Sequence, residues 1–273
     1  MKLAINVLNG YPISVEESII AIARVGFDGF FSTWQKGCPV GHWAAVAREN
    51  GLAFQSIHAP IQGSAEIWEP NGDAVLDTLL ACLEDCRKYQ VPIMIVHVFQ
   101  GFDVEESPND LGLKRFERLL KEAERVHVKI AFENTEGEKY LEAVMRGLGQ
   151  YSSLGFCWDS GHESCYNRGR DMLALYGDKL VATHINDNLG VTGEKICWED
   201  DAHLLPFDGV IDWNNAAQRL KKCPSTNFLT LELKCKNNLN LKYQLDHYQK
   251  MSYDSYLVQA YERAKRLEAL LSR

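Results

Sequence analysis

Short runs rich in apolar and β-branched residues alternate along the chain with longer amphipathic stretches. Eight such runs lie at residues 3–8, 27–33, 53–58, 92–98, 128–133, 154–159, 180–185 and 228–233. They are short and nearly continuously apolar, as strands covered on both faces are. Between them, residues 14–25, 73–89, 111–126, 139–148 and 213–221 place apolar side chains every three to four positions, the period of a helix with one buried face. Residues 253–271 read as a closing helix. Ser14 followed by Glu17 has the form of a capping box, and Asp212 stands where a helix N-cap is expected. Strands separated by helices of this size pair in parallel through right-handed crossovers.

Eight strand–helix units in 273 residues fit one closed (β/α)8 barrel, an α/β fold of the TIM type, as a single domain over residues 1–273. An open nucleotide-binding sheet would carry a glycine-rich loop after the first strand. Asn9-Gly10-Tyr11-Pro12 stands there instead. No linker or low-complexity tract divides the chain.

Composition narrows the partners. At 46% hydrophobic and 24% charged residues, the chain has the balance of an ordinary folded domain rather than a disordered one. A net charge of −8 argues against nucleic acid as a partner. No apolar run is long enough for a membrane span. The eight cysteines form no CxxC pair, and the first residues enter a strand directly without a signal-peptide pattern. Both point to free thiols and a cytoplasmic location.

The chemistry concentrates at strand ends. His58, His97, Glu133, Asp159, His184 and Glu232 each close an apolar run, spaced by 39, 36, 26, 25 and 48 residues. In a barrel those ends form the catalytic rim, so six metal-ligand types converge on one axis. The longest interval holds an extra segment with Asp201-Ala202-His203. A lone strand-end histidine is as often a hydrogen-bonded pocket residue as a ligand. A carboxylate buried without a partner is costly, which favours the metal reading for Glu133, Asp159, His184 and Glu232 together. Three carboxylates and an imidazole, with no cysteine among them, favour Mn²⁺ or Mg²⁺ over Co²⁺ or Zn²⁺. His42, His127 and His247 read as structural or surface residues, and Trp34 and Trp68 as either sugar-stacking or packing side chains.

Several segments taken together resemble a known superfamily. They are Ile57-His58-Ala59-Pro60, Phe132-Glu133-Asn134-Thr135, Trp158-Asp159-Ser160-Gly161-His162, Thr183-His184-Ile185-Asn186-Asp187-Asn188, Leu231-Glu232-Leu233, and the stretch from Asp201-Ala202-His203 through Pro206-Phe207-Asp208-Gly209 to Asp212-Trp213. The chain resembles the xylose isomerase-like barrels, particularly their sugar phosphate isomerase/epimerase branch. The resemblance implies one divalent metal held by Glu133, Asp159, His184 and Glu232. It also implies a small carbohydrate substrate: a ketose, a keto-inositol or a relative. Glu133 and Glu232 would remove and return a proton through a metal-stabilised cis-enediolate, with His58, His97, His162, Asp201 and His203 contacting substrate.

One departure separates this chain from the ketose epimerases, which carry a substrate-binding arginine shortly after the metal-binding histidine. Here Asn186, Asp187 and Asn188 follow His184, and the next arginine is Arg219. An inosose dehydratase-like lyase is therefore an alternative. A second is an endonuclease IV-type AP endonuclease with three zinc ions, whose nine ligands find counterparts in His58, His97, Glu133, Asp159, His162, His184, Asp201, His203 and Glu232. A barrel that binds sugar or metal without turnover is a third. Loops around residues 9–11, 34–42, 63–70 and 99–110 would set specificity. Arg168, Arg170 and Lys234 are candidates for holding a substrate phosphate, although such residues more often read as solvated surface. A homo-oligomer is compatible with this reading.

Overall fold

The structure, a computed structural model, describes residues 1–102, 106–235, 248 and 250–272. Eight strands run parallel in the order β7-β6-β5-β4-β3-β2-β1-β8. They are β1 (Lys2–Asn6), β2 (Gly29–Thr33), β3 (Ala53–His58), β4 (Ile93–Val96), β5 (Lys129–Glu133), β6 (Leu154–Asp159), β7 (Leu180–His184) and β8 (Phe228–Leu231). The remaining seam lies between β7 and β8. There Ile185 bridges Leu231, Ile185 N–H donates to Thr230 O (2.8 Å), Glu232 N–H donates to Ile185 O (3.1 Å), and Thr230 N–H donates to Thr183 Oγ1 (3.0 Å). The seam closes the barrel and fixes the backbone of Glu232. The observed strands match the eight apolar runs, but several stop short of them. His97 and Glu232 lie one residue beyond the ladder, where the chain turns over the rim.

The helices are α1 (Val15–Val25), α2 (Val40–Glu49), α3 (Asp73–Tyr89), α4 (Asp110–Val126), α5 (Glu138–Gly147), α6 (Ser160–Ser164), α7 (Met172–Tyr176), α8 (Trp213–Leu220) and α9 (Tyr253–Leu271). Their starts follow from the sequence. Ser14 Oγ accepts from Glu17 N–H and Glu17 returns the bond to Ser14 N–H, while Asp212 caps α8. The α4 helix stops at His127, held in the left-handed conformation at φ 59°. Most of the core lies between sheet and helices, with Phe116, Leu119 and Leu120 of α4 against Ile130 and Phe132 of β5. A smaller layer fills the barrel itself: Ile95, Ala131, Cys157 and Ala182. This layer is the floor beneath the rim.

After β7 the chain makes a long excursion, and one buried carboxylate organises its return. Asp187 accepts from Phe207 N–H (3.0 Å), Ile211 N–H (3.1 Å) and Trp213 Nε1–H (2.9 Å). A Cβ at Gly209 would come within 2.2 Å of both Asn188 O and Asp187 Oδ1, so only glycine passes there. The motif from Pro206 to Trp213 is thus a structural clasp built on Asp187. Replacing Asp187 with alanine strands these three donors and Asn188 N–H, each costing about 1–3 kcal/mol when left unpaired and buried. The Asp187→Ala variant is expected to lose at least ~3 kcal/mol in urea unfolding or to fail to fold.

Candidate metal centre

The barrel brings all nine predicted side chains to one mouth. His58 ends β3, Glu133 ends β5, Asp159 ends β6 and His184 ends β7, while His97 and Glu232 follow β4 and β8 directly. His162 lies on α6, the short helix capped by Asp159, and Asp201 and His203 come from the excursion after β7. Glu133, Asp159 and His184 are fully buried; Glu232 and Asp201 keep 15% and 12% of their side chains exposed. The ligand atoms gather in overlapping groups, within each of which all lie within 4.8 Å of one another. One is Glu133, Asp159, His184 and Glu232; another is His58, His97 and Glu133; a third is His162, Asp201 and His203.

The histidine orientations carry more information than the distances. His58 Nδ1 lies 2.7 Å from Ala59 O, His162 Nδ1 lies 3.0 Å from Asn134 O, and His203 Nδ1 lies 3.1 Å from Glu232 O. A carbonyl oxygen only accepts, so each Nδ1 carries the proton. A neutral ring then turns the Nε2 lone pair outward. Those atoms face carboxylates: His58 Nε2 stands 3.3 Å from Glu133 Oε2, and His162 and His203 Nε2 stand 3.5 and 2.7 Å from Asp201 Oδ2. Lone pair opposed to lone pair is repulsive unless a cation lies between. A committed Nδ1–H with Nε2 free toward carboxylates is also how proteins orient metal-binding imidazoles. Three further atoms, His97 Nδ1, His184 Nε2 and Asp201 Oδ1, are buried without a hydrogen-bond partner. The donor set fits divalent cations.

Charge balance makes the same point. Burial pushes the Asp159 carboxyl up to about 7, and the neighbouring carboxylates Glu133, Glu232 and Asp201 add to the rise. Burial also opposes ionisation of Glu133 and Asp201. His184, His58 and His97 around the first, and His203 and His162 around the second, outweigh it and hold both well below the usual carboxylate range. Reciprocally, Asp159 and Asp201 hold a proton on His162 against its burial. Without a metal, protons do the work of the missing positive charge.

Neighbouring amides hold the ligands still. Asp159 Oδ1 accepts from His162 N–H (2.7 Å) and Oδ2 from Asn186 Nδ2 (2.9 Å), while the Asn134 side chain bridges the Asp159 main chain with two 2.8 Å bonds. These contacts explain the asparagines that follow Glu133 and precede Asp187. They also place Asn186 where a substrate arginine was looked for; Arg219 pairs elsewhere, with Glu163 (2.7 Å) and Asp171 (2.9 Å).

Above the ligands lies a cavity of about 130 Å³, lined by His97, His162, Asp201, His203 and Glu232 and by Glu136, Tyr166, Trp198 and Lys234. Among the described residues, Lys234 is the sole lysine or arginine on its wall. Glu136 accepts from Gly101 N–H (2.9 Å), and burial raises its carboxyl. Trp198, half exposed, packs against Phe102 at 4.3 Å between ring centres, the rings tilted by 50°. Sequence reading passed over Glu136 and Trp198, since neither sits at a strand end. It also passed over Cys157. That thiol is buried on β6 two residues before Asp159, on the same inward face, and burial pushes it up to about 12. Other candidates lie elsewhere. Trp34 donates to Asp85 and Trp68 to Val98 O inside the core; Arg170 pairs with Glu138; Arg168 lines an adjoining pocket that shares Glu136 and Tyr166 with this cavity; His42 pairs with Glu16 at the surface. His247 falls outside the described residues.

Comparison with known proteins places this architecture. The model of the xylose isomerase-like TIM barrel family matches residues 19–251. The chain belongs to that family. Among relatives, the protein y4fM of Sinorhizobium fredii is 34% identical over 194 residues, covering 66% of this chain and 56% of that one. MJ1614 of Methanocaldococcus jannaschii is 28% identical over 241 residues, covering 84% and 88%. Similar solved structures include the IolI protein with a bound zinc atom (TM-score 0.75, 16% identity, 98% of each chain) and D-psicose 3-epimerase of Clostridium cellulolyticum with D-tagatose (TM-score 0.72, 15% identity, 99% of each chain). A xylose isomerase domain protein of Planctomyces limnophilus superposes with TM-score 0.75 at 12% identity, covering 100% and 98%. At these identities the structural likeness speaks to the barrel alone. No described helix is long and apolar enough to cross a membrane.

The charge balance of this family member predicts a pH signature. In metal-free protein Asp159 keeps a proton that the unfolded chain gives up, a stabilisation lost as pH rises toward about 7. His162 and His184 sit above the ordinary imidazole value, so their contribution is lost as pH rises further. His97, lowered by burial, opposes this only below the ordinary value, and the depressed Glu133 and Asp201 matter only in acid. The melting temperature of chelator-treated protein is expected to fall between about pH 6 and pH 8, while the rise caused by added Zn²⁺ or Mn²⁺ grows over the same interval. Differential scanning calorimetry at constant ionic strength measures both.

Proposed function

We propose that this protein is a divalent-metal-dependent isomerase or epimerase of a small carbohydrate, with Glu133, Asp159, His184 and Glu232 holding the metal. The observation that carries this reading is that four-residue group at the C-terminal mouth of the barrel, beneath a cavity that Glu232 lines. When bound, the metal would polarise a carbonyl and a neighbouring hydroxyl, acidifying the adjacent C–H bond. The two glutamates have unequal access. Glu232 reaches the cavity and is positioned to take a proton from substrate carbon. Glu133 is enclosed, with Oε1 2.9 Å from His184 Nδ1 and Oε2 3.1 Å from His97 Nε2, and would exchange its proton only on the sealed side. His162, His203 and Asp201 line the remaining wall and orient substrate oxygens, and Lys234 supplies the positive charge that an arginine gives in ketose epimerases.

The two glutamates are expected to separate by mutation. Glu232→Gln should abolish turnover, leaving substrate binding and most of the metal in place. Glu133→Gln should lose metal and turnover together. Metal content per chain, measured beside solvent-deuterium incorporation into ketoses and inososes, checks both. Turnover that survives Glu232→Gln would remove that residue from the chemistry. Deuterium uptake accompanied by loss of water would reassign the protein to the dehydratases.

A second reading is favoured by a specific observation: three of the overlapping ligand groups, two of them sharing Glu133, together take in all nine side chains. That arrangement suits three ions and the cleavage of a phosphodiester, in which His58 and His97 are ligands rather than hydrogen-bond partners. Close to three Zn²⁺ per chain, with incision of abasic-site DNA and no deuterium exchange in sugars, would establish this reading in place of the first.

A further inference from the structure

We infer that Cys157 supplies a thiolate to the metal centre, so that the ion held most tightly is a thiophilic one, Zn²⁺, Co²⁺ or Cd²⁺, rather than Mg²⁺ or Mn²⁺. The inference rests on the reading that Glu133 and His184 hold a metal. Cys157, Glu133 and His184 form a group of their own, fully buried, with their ligand atoms all within 4.8 Å of one another. Ligands sharing one zinc, at about 2.3 Å for sulfur and 2.0–2.2 Å for nitrogen or oxygen, lie roughly 3–4.5 Å apart. The ladder dictates the closeness. Cys157 pairs in register with Glu133 across β5 and β6, and Asp159 pairs with His184 across β6 and β7. The β6–β7 register shifts between Phe156 and Cys157, an irregularity of the kind that re-aims side chains beside active sites.

A second observation points the same way. His184 turns Nδ1 toward Glu133 Oε1 (2.9 Å) and Glu232 Oε2 (3.1 Å), and its Nε2 is buried with no hydrogen-bond partner. An imidazole that binds metal normally anchors its other nitrogen on a carbonyl or carboxylate, as His58, His162 and His203 do here. His184 has neither, and the Cys157 thiol is the group that hydrogen-bonds its ring. The rest of the layer around Cys157 is Ile95, Ala131 and Ala182, which offer no competing ligand. On binding, the sulfur–metal bond replaces the S–H bond and the proton leaves to water, with no change of oxidation state. Soft cations drive that exchange and hard ones do not.

The test uses full-length protein stripped with chelator. Titration with Co²⁺ is expected to give visible ligand-field bands together with a near-ultraviolet thiolate-to-cobalt band, the latter lost in Cys157→Ser and kept in Cys38→Ser. Competition should show Cd²⁺ affinity falling at least about tenfold in Cys157→Ser while Mn²⁺ affinity changes less than about twofold. X-ray absorption on the zinc-loaded wild type needs no variant and should show a sulfur scatterer near ~2.3 Å. Cobalt bound without the charge-transfer band, a zinc shell of nitrogen and oxygen alone, or a band that survives Cys157→Ser would each overturn the role of the thiol and leave the proposed function standing. Absence of any bound ion would overturn both.

Discussion

Glu133, Asp159, Asp201 and Glu232 are held close together at the barrel mouth, among five imidazoles and with little access to water. Four carboxylates confined in this way repel one another, and bringing even one unpaired charge out of water costs several kcal/mol. Everything around the mouth is arranged so that positive charge can offset this. Three histidines commit Nδ1–H to main-chain carbonyls and offer Nε2 inward, and the amides of Asn134 and Asn186 fix Asp159. The β7–β8 seam fixes the backbone of Glu232. The clasp on Asp187 holds down the far end of the excursion that delivers Asp201 and His203. The barrel as a whole is the rigid frame that keeps mutually repelling groups in place.

Much of this was legible in the sequence because strand alternation is a strict rule. A residue closing an apolar run in a parallel barrel must lie at the rim, so His58, Glu133, Asp159 and His184 could be placed from numbering alone. Helix starts were equally legible at Ser14 and Asp212, where local capping chemistry suffices. What could not be read is anything set by the third dimension. Trp34 and Trp68 are indistinguishable from stacking platforms until the core around them is seen. Asp187 looks like a further ligand and is a clasp, because its partners lie some twenty residues away on a returning loop. Glu136 and Trp198 reach the cavity from loops, where no periodicity constrains direction. Cys157 is the instructive case. Its position two residues before Asp159 signalled an inward face, but inward positions one layer down are ordinarily filler, and only the register with Glu133 makes it part of the centre.

The same geometry bears on how many ions the mouth holds. If one metal sits in the Glu133–Asp159–His184–Glu232 group, His58 and His97 remain hydrogen-bond partners of Glu133. If ions were held in all three groups, Glu133 would serve as a ligand in two of them. A bridging Glu133 is a poor proton carrier, which leaves Glu232 alone on the open side. On the proposed readings, epimerisation by two-sided proton transfer would go with low occupancy and hydrolysis with high occupancy. Fold cannot separate the two, since both chemistries are compatible with one barrel. Occupancy can.

Ion number and ion type are then linked through the floor of the site. A donor set of oxygen and nitrogen atoms alone leaves selectivity to size and coordination number, and flexible carboxylates accept Mg²⁺ and Mn²⁺ readily. Adding a thiol directly beneath Glu133 and His184 changes the competition, because it stabilises only cations that bind sulfur well. It also frees Glu232, the most exposed of the four ligands, to exchange between holding the metal and handling a proton. The layer that ordinarily serves only to fill a barrel would in this chain set both which ion the centre keeps and which glutamate is free to react.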